Sequence, residues 1–230
     1  MSGGERIERT IGILGAGKLG TVLARLATAA GYRVLIAGSG AVDRIALIVE
    51  VMAPDAIATT AEGVVAEADV VILAAPLGKV RSLPLDALSG AGAIVVDATN
   101  YWWPVDGILP DFEQAELSSS EIVRNLMPGA RLVKTFNHMG YHELDTEARP
   151  AGHPDRKALA IASDDPTALM IVAEVVDAMG FDTIDAGALA EGVRFEPGTS
   201  AFGATASRVA LLTMLEAGDS PAVARGRMSR

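Results

Sequence analysis

The chain contains no cysteine. That absence excludes disulfides, thiolate catalysis and cysteine-ligated zinc or iron–sulfur centres, and it fits a reducing compartment. Basic residues are outnumbered, with 19 Lys and Arg against 29 Asp and Glu for a net charge of −10, and no basic stripe gathers them. A nucleic-acid partner needs a concentrated basic face, so none is expected. No apolar run approaches the ~18 uncharged residues of a membrane span, and Met1 to Thr10 lacks the apolar core of a signal peptide. The expectation is a cytoplasmic protein without a membrane partner.

Half of the 230 residues are apolar, enough for a substantial core. Gly15-Ala16-Gly17-Lys18-Leu19-Gly20 is a G-x-G-x-x-G between the apolar run Ile11 to Leu14 and a stretch with Leu19, Val22, Leu23, Leu26 and Ala30 at helical spacing. In such a loop the first glycine permits the turn, the second lets backbone approach a pyrophosphate, and the third lets helix pack on strand. The helix N-terminus then holds the anion. A second strand, Tyr32 to Ala37, follows and ends Gly38-Ser39-Gly40 with no carboxylate. An NAD site usually carries Asp or Glu about 20 residues after the glycines, so NADP is favoured. Ser39 and Arg44 are the candidate partners of its 2′-phosphate, with Arg44 as a solvated surface charge the alternative reading.

Strands are predicted at 11–15, 33–37, 69–74, 93–97, 131–136, 157–162 and 181–185, with a short piece near Ile57. Helices are predicted at 18–30, 42–52, 61–68, 78–88, 118–127, 165–179 and 201–217. Runs such as Val70-Val71-Ile72-Leu73 read as strands buried on both faces. The pattern is an α/β, doubly wound, Rossmann-type sheet, mainly parallel and of about eight strands, with a small C-terminal helical portion. Its expected limits are a tail at 1–10, the dinucleotide-binding domain at 11–186, the helical portion at 187–220 and a tail at 221–230. Residues 137–156 read as the longest irregular stretch, a candidate binding loop.

Ligands of open α/β sheets sit beyond the carboxyl ends of the strands. There Ala74, Ala75 and Pro76 leave room for a sugar or diphosphate, and Val80 is a candidate apolar contact. Asn100, Asn137, His138 and Met139 gather near the nicotinamide position. Lys79, Arg81, Arg124, Arg131 and Lys134 are candidates for a local basic cluster able to meet an anionic acceptor. Tyr101-Trp102-Trp103 stands out because aromatics are only 4% of the chain. These rings, Trp102 among them, either wall a ring-binding pocket or cover the core edge or a subunit interface. His138 and His142, with Glu143 and Asp145, have metal-like spacing, but such groups commonly occur without metal and none is expected. His138 is instead a candidate acceptor contact. The segment Glu196 to Ser200 reads as a structural connector.

In order along the chain, GILGAGKLG, AAP, VVDATN, LVKTFN and DAGALAEG resemble the NADPH-dependent reductases of the deazaflavin coenzyme factor 420. They also resemble the cytosolic domain of the six-transmembrane metalloreductases. The resemblance spans roughly residues 10–217. It implies an NADP-binding domain, often a homodimer, that passes a hydride between nicotinamide and a deazaflavin or flavin ring (factor 420, FMN or FAD). Carried over by position, it puts the phosphate grip on Ala16, Gly17, Lys18 and Leu19 and the 2′-phosphate site on Ser39, Gly40 and Arg44. It also implies that the 196–200 loop closes one side of the acceptor cleft. Gly40 stands where these reductases commonly carry arginine. Asn137 matches the metalloreductase-like domains, whereas the deazaflavin enzymes can have histidine there.

Hydride transfer between stacked rings needs positioning rather than an obligatory side-chain acid or base, so no catalytic residue is expected. Tyr-x-x-x-Lys, G-x-S-x-G and the Walker lysine motif are all missing. The alternatives are a small-molecule imine or carbonyl reductase and a non-catalytic NADPH-sensing binding protein.

Overall fold

Apolar strands alternating with amphipathic helices can bury both sheet faces only by layering helices on each side. The computed structural model, which describes residues 9–90, 92–102, 106–113 and 117–218, has that arrangement. Its strands are β1 (Thr10–Leu14), β2 (Arg33–Ala37), β3 (Ile57–Ala58), β4 (Val70–Leu73), β5 (Ile94–Asp97), β6 (Arg131–Lys134), β7 (Ala158–Ser163) and β8 (Asp182–Gly187). They form one sheet in the order β3-β2-β1-β4-β5-β6-β7-β8. All neighbours are parallel except β6 and β7, so the last two strands run against the first six. The strand order reverses between β1 and β4, and that crevice is where a dinucleotide fits.

The helices are α1 (Lys18–Ala29), α2 (Val42–Met52), α3 (Ala61–Glu67), α4 (Leu85–Gly90), α5 (Pro110–Glu113), α6 (Ser119–Leu126), α7 (Tyr141–Thr146), α8 (Pro166–Ala178) and α9 (Arg208–Glu216). Two 3-10 turns, Leu77–Ser82 and Leu189–Phe195, complete the set. Ile11, Ile13, Val34, Ile36, Val70 and Ile72 share one core with α1 and α8, while Leu14, Leu35, Val71, Leu73 and Val95 face the other way onto α3 and α6. A third cluster sets the alanines of β7 against Phe195, Leu211 and Leu215, which docks the last helix onto the sheet. Small side chains on β7 let those elements approach closely.

Helix starts follow from caps. Thr60 accepts the Gly63 amide at 3.0 Å, Ser118 and Glu121 form a capping box, and Asp165 caps α8 with Pro166 beginning the helix. Gly180, at φ +104°, follows α8 in the left-handed region.

Three expectations are corrected. The single helix at 78–88 is a 3-10 turn and then α4, because Leu83 is extended (ψ 162°) as the residue before Pro84 prefers. The helix at 201–217 starts only at Arg208, after Gly203 at φ +81° and the Ser207 cap. The stretch at 137–156 contains α7, whose six residues are too few to show periodicity. The expected tails lie outside the described residues apart from Arg9 and Thr10, and Thr10 begins β1.

Candidate functional site

Backbone geometry shapes the glycine loop. Gly15 has φ +132°, donates its amide to the Ala37 carbonyl at 2.7 Å, and would place a Cβ 2.4 Å from the Ala74 carbonyl oxygen. A Cβ on Gly20 would lie 1.7 Å from the Gly15 carbonyl oxygen, so this glycine is what lets α1 seat against the loop. Gly17 is different: a Cβ there meets nothing within 4 Å, and the residue is exposed. It is the N-cap of α1 and makes no side-chain cap, which leaves the first-turn amides of a 12-residue helix to an anion. Lys18 is exposed beside it, its Nζ 3.2 Å from the Tyr141 hydroxyl and 5.3 Å from that ring's centre. Ala16 and Leu19 are half-buried against the core.

At the end of β2, Ser39 and Gly40 are exposed. Arg44, in the first turn of α2, is exposed and has no carboxylate partner among the described residues; its guanidinium lies 3.9 Å from where a Gly40 Cβ would sit. A free cation folded over a glycine turn next to a serine suits a 2′-phosphate. Ala75 is half-buried and Pro76 exposed where the chain leaves β4. Val80 is only 1% exposed and packs in the second core, so it supports that loop from beneath instead of forming an exposed apolar contact.

Across the crevice the loops after β5 and β6 meet the segment after Phe195. The Asn100 amide donates to the Asn137 carbonyl at 2.7 Å, and Asn137 Nδ2 donates to Asn100 Oδ1 at 3.0 Å and to the Phe195 carbonyl at 2.9 Å. Both hydrogens of the Asn137 amide are thereby used, which fixes its orientation. Its Oδ1 is buried without a partner. Phe136, just before it, holds φ +63°, a conformation bulky residues rarely adopt and one that stores strain where the chain turns off β6. Trp102 is 39% exposed and stacks on Phe202 at 6.1 Å and 23°. Asp106 accepts the Trp102 amide at 2.9 Å and the Gly78 amide at 3.0 Å, which ties this aromatic wall to the turn after β4. Trp103 lies outside the described residues.

His138 and Met139 do not face the crevice. Both are buried in the core, and His138 Nε2 accepts the Ala160 amide at 2.9 Å. Its proton therefore sits on Nδ1, which faces the Ala201 carbonyl but falls short of full hydrogen-bond geometry. Burial pushes this imidazole down to about 4, opposed only by that carbonyl, so the ring is neutral at physiological pH and acts as a packing group. The four-residue spacing to His142 also fails, since His142 is exposed; no metal cluster occurs among the described residues. Most of the expected basic cluster is engaged by carboxylates. Arg81, Arg124 and Arg131 each pair with an aspartate at 2.6 Å (Asp111, Asp164 and Asp165), and Lys134 is fully buried.

Lys134 belongs to a network that the motifs did not reveal. Its Nζ donates to the Thr99 carbonyl and to Ser119 Oγ, both at 3.2 Å, and lies 3.6 Å from carboxylate oxygens of Asp97 and Glu196. Ser119 donates its hydroxyl (2.6 Å) and amide (3.1 Å) to Glu196, while Asp97 accepts from the Thr99 hydroxyl (2.6 Å), the Thr99 amide (3.0 Å) and the Ser120 hydroxyl. A signal did exist: Asp97 and Lys134 are charges inside apolar strand runs, and they are register partners on β5 and β6. Buried charges require partners.

Crossover order, glycine loop and the crevice at the strand-order reversal define a dinucleotide-binding domain. Residues 10–101 match the family described as NADP oxidoreductase, coenzyme F420-dependent, in agreement with the resemblance read from the motifs. The class is that of NADP-dependent oxidoreductases. A hypothetical protein, SMa0349, from Sinorhizobium meliloti is 29% identical, with 87% of this chain and 96% of that one covered at a TM-score of 0.72. A candidate F420-dependent NADP reductase from Arthrobacter sp. FB24 is 25% identical, with 77% and 84% covered at 0.61. The 1-pyrroline-5-carboxylate reductase of Streptococcus pyogenes, 15% identical with 96% and 76% covered at 0.58, shares the fold. A search of the curated proteins gives no match.

Proposed function

We propose that this protein is an NADPH-dependent reductase that transfers a hydride to a deazaflavin or flavin coenzyme such as factor 420, FMN or FAD, working as a homodimer. The single observation that carries the reading is the pairing of an uncapped, Cβ-free phosphate cradle at Gly17 with an exposed aromatic wall, Trp102 on Phe202, across the strand-order reversal. The Gly15–Leu19 backbone would hold the pyrophosphate, and Ser39, Gly40 and Arg44 the 2′-phosphate. Asn100 and Asn137 would orient the nicotinamide, with the unpartnered Oδ1 of Asn137 able to accept its carboxamide N–H. Bound NADPH supplies the hydride; the chain positions the two rings and excludes water.

Reduction of a small imine or carbonyl calls for a proton donor at the reacting atom. The imidazole nearest the amide pair, His138, is buried and held neutral, which favours the flavin-like acceptor. The test is purified protein with NADPH against deazaflavin, FMN, FAD and ferric chelates. Oxidation of NADPH by at least one of them is expected. Binding of NADPH with background turnover throughout the panel would sink the proposal, and an accompanying change of oligomeric state would point to an NADPH sensor instead.

A further inference from the structure

The protons of the buried network below Asn100 and Asn137 can be followed one by one. Lys134 donates to Ser119 Oγ, whose own hydrogen goes to Glu196; the Thr99 and Ser120 hydroxyls both donate to Asp97. These hydroxyls all donate toward the two carboxylates, and one ammonium lies 3.6 Å from both. Asp97 and Lys134 are 0% exposed and the Glu196 side chain 16%, so water screens the cluster weakly. The N-terminal amides of α6 offset only a fraction of the second charge.

This cluster is joined to the candidate nicotinamide position by short covalent steps. Thr99 precedes Asn100, Lys134 ends the strand that leads to Asn137, and Glu196 follows Phe195, whose carbonyl holds the Asn137 amide. The buried, unpartnered Asn137 Oδ1 is an independent sign that a ligand group belongs there. Dihydronicotinamide is uncharged, whereas the ring left after loss of a hydride, with its two electrons passed to the acceptor ring, carries one positive charge.

We propose that the Asp97–Lys134–Glu196 cluster, through the charge of Glu196 that Lys134 leaves uncompensated, favours the oxidised, cationic nicotinamide over the reduced one and so drives hydride out of NADPH. Glu196 acts through its field, not by contact, and is a positioning residue in the electrostatic sense. The inference rests on the NADP reading of the site given above.

The test is a pair of titrations, NADP+ and NADPH, on the parent protein and on Glu196→Gln, which keeps the Ser119 acceptor while removing one charge. The ratio of the NADP+ to the NADPH dissociation constant is expected to rise about three- to tenfold. Glu196→Asp, which keeps the charge, and Glu191→Gln, which removes a half-exposed charge paired with Arg194, should leave the ratio at the parent value. Asp97→Asn removes a charge from the same cluster and should shift the ratio in the same direction, so the idea is testable even if Glu196→Gln folds poorly. An unchanged ratio in the charge-removing variants, with both nucleotides still bound, overturns this inference alone. A parent protein that binds neither nucleotide overturns the reading of function together with it.

Discussion

Around the glycine loop the surface offered to a ligand is backbone: Gly17 presents open space and uncapped amides, and the neighbouring glycines exist to bring chain segments close. On the opposite side of the crevice the surface is side chain, with amides and an aromatic pair, over a buried salt-linked network drawn from Asp97, Ser119, Lys134 and Glu196. A backbone cradle needs close approach of chain segments and carries only the partial charge of a helix N-terminus. A side-chain cradle stores charge below the site and depends on residues far apart in the chain. The first kind suits a ligand part that never changes, the pyrophosphate, and the second suits the part where charge develops.

Substitutions within the glycine loop should separate packing from binding. Gly20→Ala, with its Cβ 1.7 Å from a carbonyl oxygen, is expected to destabilise by about 4 kcal/mol or more, read as loss of soluble protein or of a cooperative melt. Gly17→Ala should change stability by under about 1 kcal/mol but weaken NADPH binding at least ~10-fold, measured by titration. Equal losses of stability in both would contradict the division.

On the side-chain face, Lys134→Met leaves Asp97 buried without its cation and should cost about 3–5 kcal/mol in urea unfolding. A mild effect would mean that the hydroxyl donors suffice for Asp97. His138 gives a smaller, pH-dependent effect. Its folded-state value of about 4 lies below the ordinary 6.5, so the unfolded chain takes up the proton more readily. Stability from this group is complete above pH 6.5 and declines as pH falls toward 4, by up to about 3 kcal/mol. Denaturation curves across that window should flatten in His138→Phe. Smallest in free energy is Arg44→Ala, expected to weaken NADPH about tenfold while leaving NADH unchanged. Equal weakening of both nucleotides would remove Arg44 from the 2′-phosphate site.

The same contrast explains what could be read in advance. Glycine positions and apolar strand runs are local, and the strand positions, the loop at Gly15–Gly20 and the capped start of α8 at Asp165-Pro166 are all legible from neighbouring residues. A strand-end position does not say which way a side chain turns, and after the left-handed Phe136 both His138 and Met139 lie in the core. The Asp97–Lys134–Glu196 network joins residues separated by up to 99 positions, so only the oddity of a charge inside each strand hinted at it. Short α7 and the split at Pro84 were lost to the weakness of periodicity over six residues.

The candidate site is one crevice with two differently built sides. A structure of the protein crystallised with NADP and a deazaflavin or flavin is the direct measurement. The pyrophosphate is expected on the amides that follow Gly17, the 2′-phosphate against Arg44, and the nicotinamide beside Asn100 and Asn137 with the acceptor ring stacked on it against Trp102 and Phe202. A dinucleotide bound elsewhere, or an acceptor ring out of contact with the nicotinamide, would contradict this arrangement.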